Sequence, residues 1–128
     1  MISIPVSVGE LLDKLSILHI KRQKIYDSDK LEKVKQEYEL LHKASETFLG
    51  DKDFFNLYDD LITTNSKLWD VEDKIRVLEK EQNFNQEFID LARAVYYTND
   101  ERFEIKNKIN LLSNSEIQEQ KSYEDYKN

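Results

Sequence analysis

Cysteine is absent from these 128 residues, and proline and glycine together occur only three times. Without cysteine there is no disulfide framework, no thiolate nucleophile and no thiolate metal site. Two glycines cannot build a phosphate cradle, and the nucleophile elbow, the zinc-protease pair of histidines and the calcium-loop pattern are missing too. His19 and His42 stand apart on different expected helices, where a lone imidazole is more often structural or solvated than a ligand, so neither a metal nor a cofactor is expected. No apolar run approaches the ~18 residues of a membrane span. No basic block followed by an apolar one opens the chain, so no signal peptide and no membrane partner are expected, and a cytoplasmic location is.

What is present is charge and periodicity. Charged residues make up 35% of the chain, with a net charge of −7. That balance disfavours bulk-charge attraction to nucleic acid, which is not expected as a partner. High charge with almost no glycine or proline is the profile of long helices joined by short connections. The periodic apolar residues argue against disorder despite the low mean hydropathy.

The stretch from Phe54 to about Gln82 organises the rest. Leu57, Leu61, Thr64, Leu68, Val71, Ile75 and Leu78 alternate at spacings of four and three, the seam of a helix lying along another. A second row of Tyr58, Ile62 and Trp69, with Arg76 beyond, gives the helix two apolar sides and hence neighbours on both. Before it, Ile2, Ile4 and Val6 read as a short extended segment. Ser7-Val8-Gly9-Glu10 then opens a helix with a capping box. Val8, Leu11, Leu15, Leu18 and Ile25 make its seam, and Leu12, Ile17 and Ile20 widen it, so this helix is expected to be the most buried. A second cap signature at Asp29 to Glu32 starts the next helix, with Leu31, Val34, Tyr38, Leu41 and Phe48 inward and Gly50 at its end.

Glu81 to Asn85 reads as a turn. Phe88, Leu91 and Val95 continue as a helix to Thr98-Asn99-Asp100, which is either a break with a fresh cap or a kink. Beyond it Arg102, Ile105, Ile109 and Leu112 form one stripe, and Ser115 to Gln118 can cap one more turn. The expectation is a single all-α domain over 1–128: an antiparallel bundle of four to five helices with a long central heptad helix. Residues 119–128 are expected to form a loosely ordered tail, docked by Tyr123 and Tyr126. A domain this small has a thin core, which favours a homodimer through leftover apolar face.

Three places hold polar residues that a plain bundle does not need. Trp69, Glu72, Asp73 and Arg76 share one side of the central helix, where an arginine beside carboxylates and an indole is held and oriented. Arg102 and Lys106 are like charges four apart, and Arg102 falls on an apolar stripe, so it needs a carboxylate or a bound anion. Asn99, Asp100 and Asn110 lie close in sequence. Lys14 sits on the most buried helix with Glu10 four residues before it. One reading gathers Lys14, Arg76, Arg102 and Lys106 around a carboxylate- or phosphate-bearing ligand. The other pairs them internally: Glu10 with Lys14, Glu72 with Arg76, and Asp73 or Asp100 with Arg102. Lys21, Arg22 and Lys24 read as a solvated face.

At VGELLDKLSIL, LWDVEDKIR and LARAVYYTNDERFEIKNKIN, with KSY further on, the chain resembles a small all-helical family of bacterial and phage proteins with no assigned function. These stretches cover close to half the chain; the segment from Ile25 to Asn65 carries little of the likeness. The resemblance implies a stand-alone helical domain and brings no activity, cofactor or catalytic residue. It does place Glu10, Asp13, Lys14, Trp69, Glu72, Asp73, Arg76, Asn99, Asp100, Arg102, Lys106 and Asn110 inside the motif stretches. Leu11-Leu12-Asp13 is also distantly similar to the first helix of the all-helical chorismate mutases, which build anion sites from Arg and Lys. The chain departs from that family in having Arg22 as the only arginine of this helix.

Two functions follow as expectations. One is a helical binding or adaptor protein, with Trp69 and the tyrosines Tyr96 and Tyr97 in its interface and a protein partner. The other is a small enzyme or ligand-binding protein that holds an anionic metabolite between helices.

Overall fold

The computed structural model describes residues 1–114 and 120–127. The extra turn expected over Ser115 to Gln118, and the tail positions 119 and 128, lie outside the described residues. Four helices follow one another: α1 (Val8–Lys24), α2 (Ser28–Leu49), α3 (Lys52–Lys80) and α4 (Gln86–Ser113). Among the described residues there is no strand, and the chain is a four-helix bundle.

A short polar side chain starts each helix by accepting from an orphan backbone N–H, an arrangement that stabilises by about 1 kcal/mol each. Ser7 caps α1 through the Glu10 N–H at 3.1 Å, and Asn85 caps α4 through the Phe88 N–H at 3.0 Å. Asp51 caps α3 through the Asp53 N–H at 2.8 Å. For α2 the cap is Asp27, which accepts from the Lys30 N–H at 2.9 Å, and not Asp29, which lies inside the first turn. Gly50 ends α2 with φ −71°, so no left-handed residue is needed there. The α3–α4 turn does use one, at Gln82 with φ 56°. Connections this short return the chain beside the helix it has just left.

The core is built from Leu12 and Leu15 of α1, Tyr58 and Leu61 of α3 and Ile109 of α4. Val8, Tyr38, Leu41, Leu49, Phe54, Leu57, Ile62 and Ile105 pack around them. Each fully buried leucine contributes roughly 1.5–3 kcal/mol of transfer free energy. Burial also pushes the Tyr58 phenol above its usual range, with the neighbouring Tyr38 hydroxyl adding to the effect. α3 touches all three other helices. Along it Leu61, Thr64, Val71 and Leu78 are buried, and Leu57, Leu68 and Ile75 half-buried. α2 is peripheral: only Ser45 of its residues is fully buried.

Two expectations are corrected on α4. There is no fifth helix among the described residues, because α4 runs unbroken through Thr98, Asn99 and Asp100. Neither potential cap is used as one: Thr98 is turned inward and buried, while Asp100 accepts from the Tyr126 hydroxyl at 2.5 Å. The inner stripe is also different. Leu112 is exposed, and the buried positions are Thr98, Lys106, Ile109 and Asn110. The inner face of α4 is therefore largely polar. At the N-terminus, residues 1–6 have no regular structure and are exposed.

α1 and α4 run antiparallel, since Gly9, Glu10 and Asp13 meet Asn110, Lys106 and Arg102 in reverse order. They approach closely at Gly9, whose N–H donates to Asn110 Oδ1 at 2.7 Å. A Cβ there would lie 2.5 Å from the Lys106 carbonyl oxygen and 2.7 Å from Asn110 Oδ1. At Gly50 the nearest atom would be 3.6 Å away, an ordinary contact. Gly9→Ala is therefore expected to lower stability by about 1–3 kcal/mol in urea unfolding, as overpacking does, while Gly50→Ala leaves it within about 0.5 kcal/mol.

Candidate ligand site at the junction of α1, α3 and α4

On α1, Gly9, Glu10, Asp13 and Ser16 fall on the side that faces α4 and α3. Asp13 is only 1% exposed, yet it is a carboxylate. A buried carboxylate needs a partner of opposite charge and filled lone pairs. Arg102 supplies the charge in a two-pronged contact, Nε donating to Oδ1 at 2.8 Å and the second nitrogen to Oδ2 at 2.6 Å. Such fork-on-carboxylate pairs are the strongest protein hydrogen bonds. Asn65 of α3 donates from Nδ2 to Asp13 Oδ1 at 3.0 Å and to Ser16 Oγ at 2.8 Å. Ser16 in turn donates to the Asp13 carbonyl at 2.6 Å. Three helices are thus tied through one carboxylate.

One turn along, Lys106 Nζ meets Glu10 Oε2 at 2.9 Å, with the lysine side chain only 7% exposed. The Glu10 side chain thus points across to α4, and the capping box at Ser7 is made by its serine half. Glu10 does not pair with Lys14. Lys14 is exposed and lies 3.7 Å from Glu37 of α2. Arg76 is exposed and pairs with Glu72 at 3.3 Å, as its i, i+4 spacing allows. Neither Asp73 nor Asp100 is the partner of Arg102. Arg22 and Lys24 at the end of α1 are exposed, as a solvated face requires, and make surface contacts there: Arg22 lies 4.1 Å over the Tyr38 ring and Lys24 is 3.9 Å from Asp70. Nearby, burial and the Arg22 charge together hold the His19 imidazole below its usual pKa, favouring the neutral ring.

Two openings flank Arg102. The larger, about 360 Å³, has an apolar floor of Ile17, Ile20, Leu68 and Trp69, with Asn65, Glu72, Asp73, Arg76 and Arg102 around it. The smaller, about 180 Å³, is polar and is lined by Glu10, Asn99, Arg102, Phe103, Lys106 and Lys121. Of the four cations expected to converge, Arg76 and Arg102 share the cleft, Arg102 and Lys106 share the notch, and Lys14 lines neither. Asn110 supports the site from behind through Gly9, and Asp100 holds the C-terminal segment through Tyr126. Tyr126 also packs edge-on against both Tyr96 and Tyr97, each at 4.9 Å, whereas Tyr123 is exposed.

A family model covers residues 2–127, nearly the whole chain. The chain belongs to the Family of unknown function (DUF6165). No curated protein and no solved structure matches it. For this DUF6165 chain the junction therefore rests on its own geometry. Asn65, Ser16 and Ser45 are buried polar residues to which the sequence pattern assigned no role, and Thr98, read there only as a break or kink, is buried as well. A signal for Ser16 was present: Gly9, Asp13, Ser16 and Ile20 follow a four-three-four spacing, which puts the serine on the same core-facing row as Asp13.

The network has a direct test. Asn65→Leu keeps the volume but leaves Asp13 and Ser16 each short of a buried donor. It is expected to cost about 1–3 kcal/mol in chemical denaturation, and a neutral outcome would mean that the amide is dispensable.

Proposed function

We propose that this protein is a non-catalytic helical binding or adaptor protein, which takes an apolar side chain or ring of its partner into the Trp69 cleft. The make-up of that cleft carries the reading. Its floor of Ile17, Ile20, Leu68 and Trp69 is apolar, while Arg102 and Arg76 at its edge are held by Asp13 and Glu72. Arginine stays protonated throughout the physiological range, so these groups orient and select rather than shuttle protons. An indole beside ionic groups of both signs is the composition of a recognition hot spot. The Tyr96–Tyr97 pair, the other half of the expected interface, is shared with the chain's own Tyr126, which makes Trp69 the better-supported anchor.

A homodimer belongs to the same reading. Val77, Phe84 and Ile89 are exposed around the α3–α4 turn, and apolar surface of that kind favours a second copy. A second reading, an anionic metabolite held between helices, is supported by the polar notch that brings Arg102, Lys106 and Lys121 together beside Asn99.

Trp69 is the single tryptophan, so its emission reports on the cleft directly. Indole-free apolar probes such as p-cresol are expected to shift it saturably, and Ile17→Asp to abolish the shift. A rise in melting temperature with phosphate, sulfate or succinate, with no response of Trp69 to p-cresol, would favour the notch instead. Sedimentation equilibrium is expected to give twice the 15.3 kDa chain mass; a monomer at every concentration removes the dimer.

A further inference from the structure

Tyr96, Asp100 and Phe103 stand at i, i+4 and i+7 on α4, so they form one row along its surface, with Tyr97 beside it. Residues 120–127 lie back along this row. The Lys121 ammonium sits 5.2 Å over the Phe103 ring. Five residues on, the Tyr126 ring meets Tyr96 and Tyr97 edge-on, each at 4.9 Å, and its hydroxyl donates to Asp100 Oδ2. Edge-on rings, a cation over a ring and a hydroxyl on a carboxylate are directed contacts. Together they fix both the direction and the register of the segment on α4.

The same segment adds nothing to the core. All of residues 120–127 are exposed, and a space of about 360 Å³ remains where they meet α4, bordered by Tyr96, Phe103, Tyr123 and Tyr126. Lifting the segment away opens no cavity in the bundle, which is the condition for a local opening rather than unfolding. We propose that this row of α4 is a peptide-docking surface, held closed by the chain's own residues 120–127. Its outside partner is a protein segment that carries a lysine five residues ahead of an unmodified tyrosine. The resident occupant argues for that chemistry: Phe103 takes the cation, the Tyr96–Tyr97 pair takes the ring, and Asp100 accepts from the hydroxyl. A phosphate on that tyrosine would replace the donor by negative charge beside Asp100 and be repelled. Residues 120–127 belong to the same chain and so act at high effective concentration; an outside segment binds in proportion to the time the surface stands open. The surface is separate from the Trp69 cleft, and the proposal does not depend on the reading of that cleft.

The test uses the full chain and a fluorescein-labelled peptide of residues 120–127, followed by fluorescence anisotropy. In the chain, Tyr126→Ala removes the segment's own ring and hydroxyl at an exposed position, and is expected to leave the melting temperature unchanged. It is expected to bind the peptide about tenfold more tightly than the parent, the ratio for a surface closed about nine-tenths of the time. Adding Asp100→Ala or Tyr97→Ala to that variant is expected to weaken binding about tenfold or more, with the helical circular dichroism kept. The peptide phosphorylated at its second tyrosine is expected not to bind. The proposal is overturned if the parent and Tyr126→Ala bind the peptide equally, or if neither binds it in the millimolar range. Binding that survives both second changes, or that tolerates the phosphate, overturns it too. So does a halved sedimentation mass for Tyr126→Ala, which would seat the segment on a second copy.

Discussion

A carboxylate in the centre of a bundle sets the terms for everything packed around it. Asp13 sits on α1 between Leu12 and Leu15, two residues of the apolar core, and is as inaccessible as they are. Removing an ion from water costs several kcal/mol, which only close, well-oriented partners offset. Arg102 and Asn65 are those partners, one from α4 and one from α3. Leucines alone would let these helices slide or rotate against each other at little cost. The Asp13 contacts penalise any other register, because each leaves a buried charge short of a partner.

The polar seam and the apolar core divide the bundle between them. Leu12, Leu15, Leu61, Tyr58 and Ile109 supply the burial that folding needs, and α2 closes that side with half-buried residues. The opposite side of α1 meets α4 through Gly9, Glu10 and Asp13, with Asn110, Lys106 and Arg102 facing them. Where helices approach this closely a side chain larger than hydrogen does not fit, which explains why one of only two glycines stands at position 9. The openings beside Arg102 arise because polar side chains of different lengths fill space less evenly than leucines. Both openings are thereby lined by Arg102, one of the residues that hold the register.

Much of the architecture was legible in the residues. Local chemistry marked the start of α1 and the α3–α4 turn, because caps and apolar periodicity act within a few residues of each other. The choice left open at Thr98 to Asp100, a break or a kink, was not decidable for the same reason, and α4 runs through it as one helix. Threonine, asparagine and aspartate are cap formers in isolation, but tertiary contacts to Thr98 and Asp100 outweighed that preference. The pairing of charges was the least legible feature. Spacing along one helix suggested Glu10 with Lys14, whereas the partner is 96 positions away at Lys106, and no single-chain periodicity encodes a contact of that kind. Spacing did find Glu72 with Arg76, an exposed pair worth only about 0.3–0.5 kcal/mol. The likeness to the family was a better guide, since its motif stretches already held Asp13, Arg102, Lys106 and Asn110.

The claim that the Asp13–Arg102 pair holds the bundle in register is tested most directly by a double-mutant cycle. Asp13→Asn and Arg102→Met, singly and together, would be compared by urea unfolding. The expected result is that each single change costs about 3–5 kcal/mol and the pair little more than either, a coupling of at least about 2 kcal/mol. Losses that simply add would show that the two side chains contribute independently, and the central role given to their contact would be wrong.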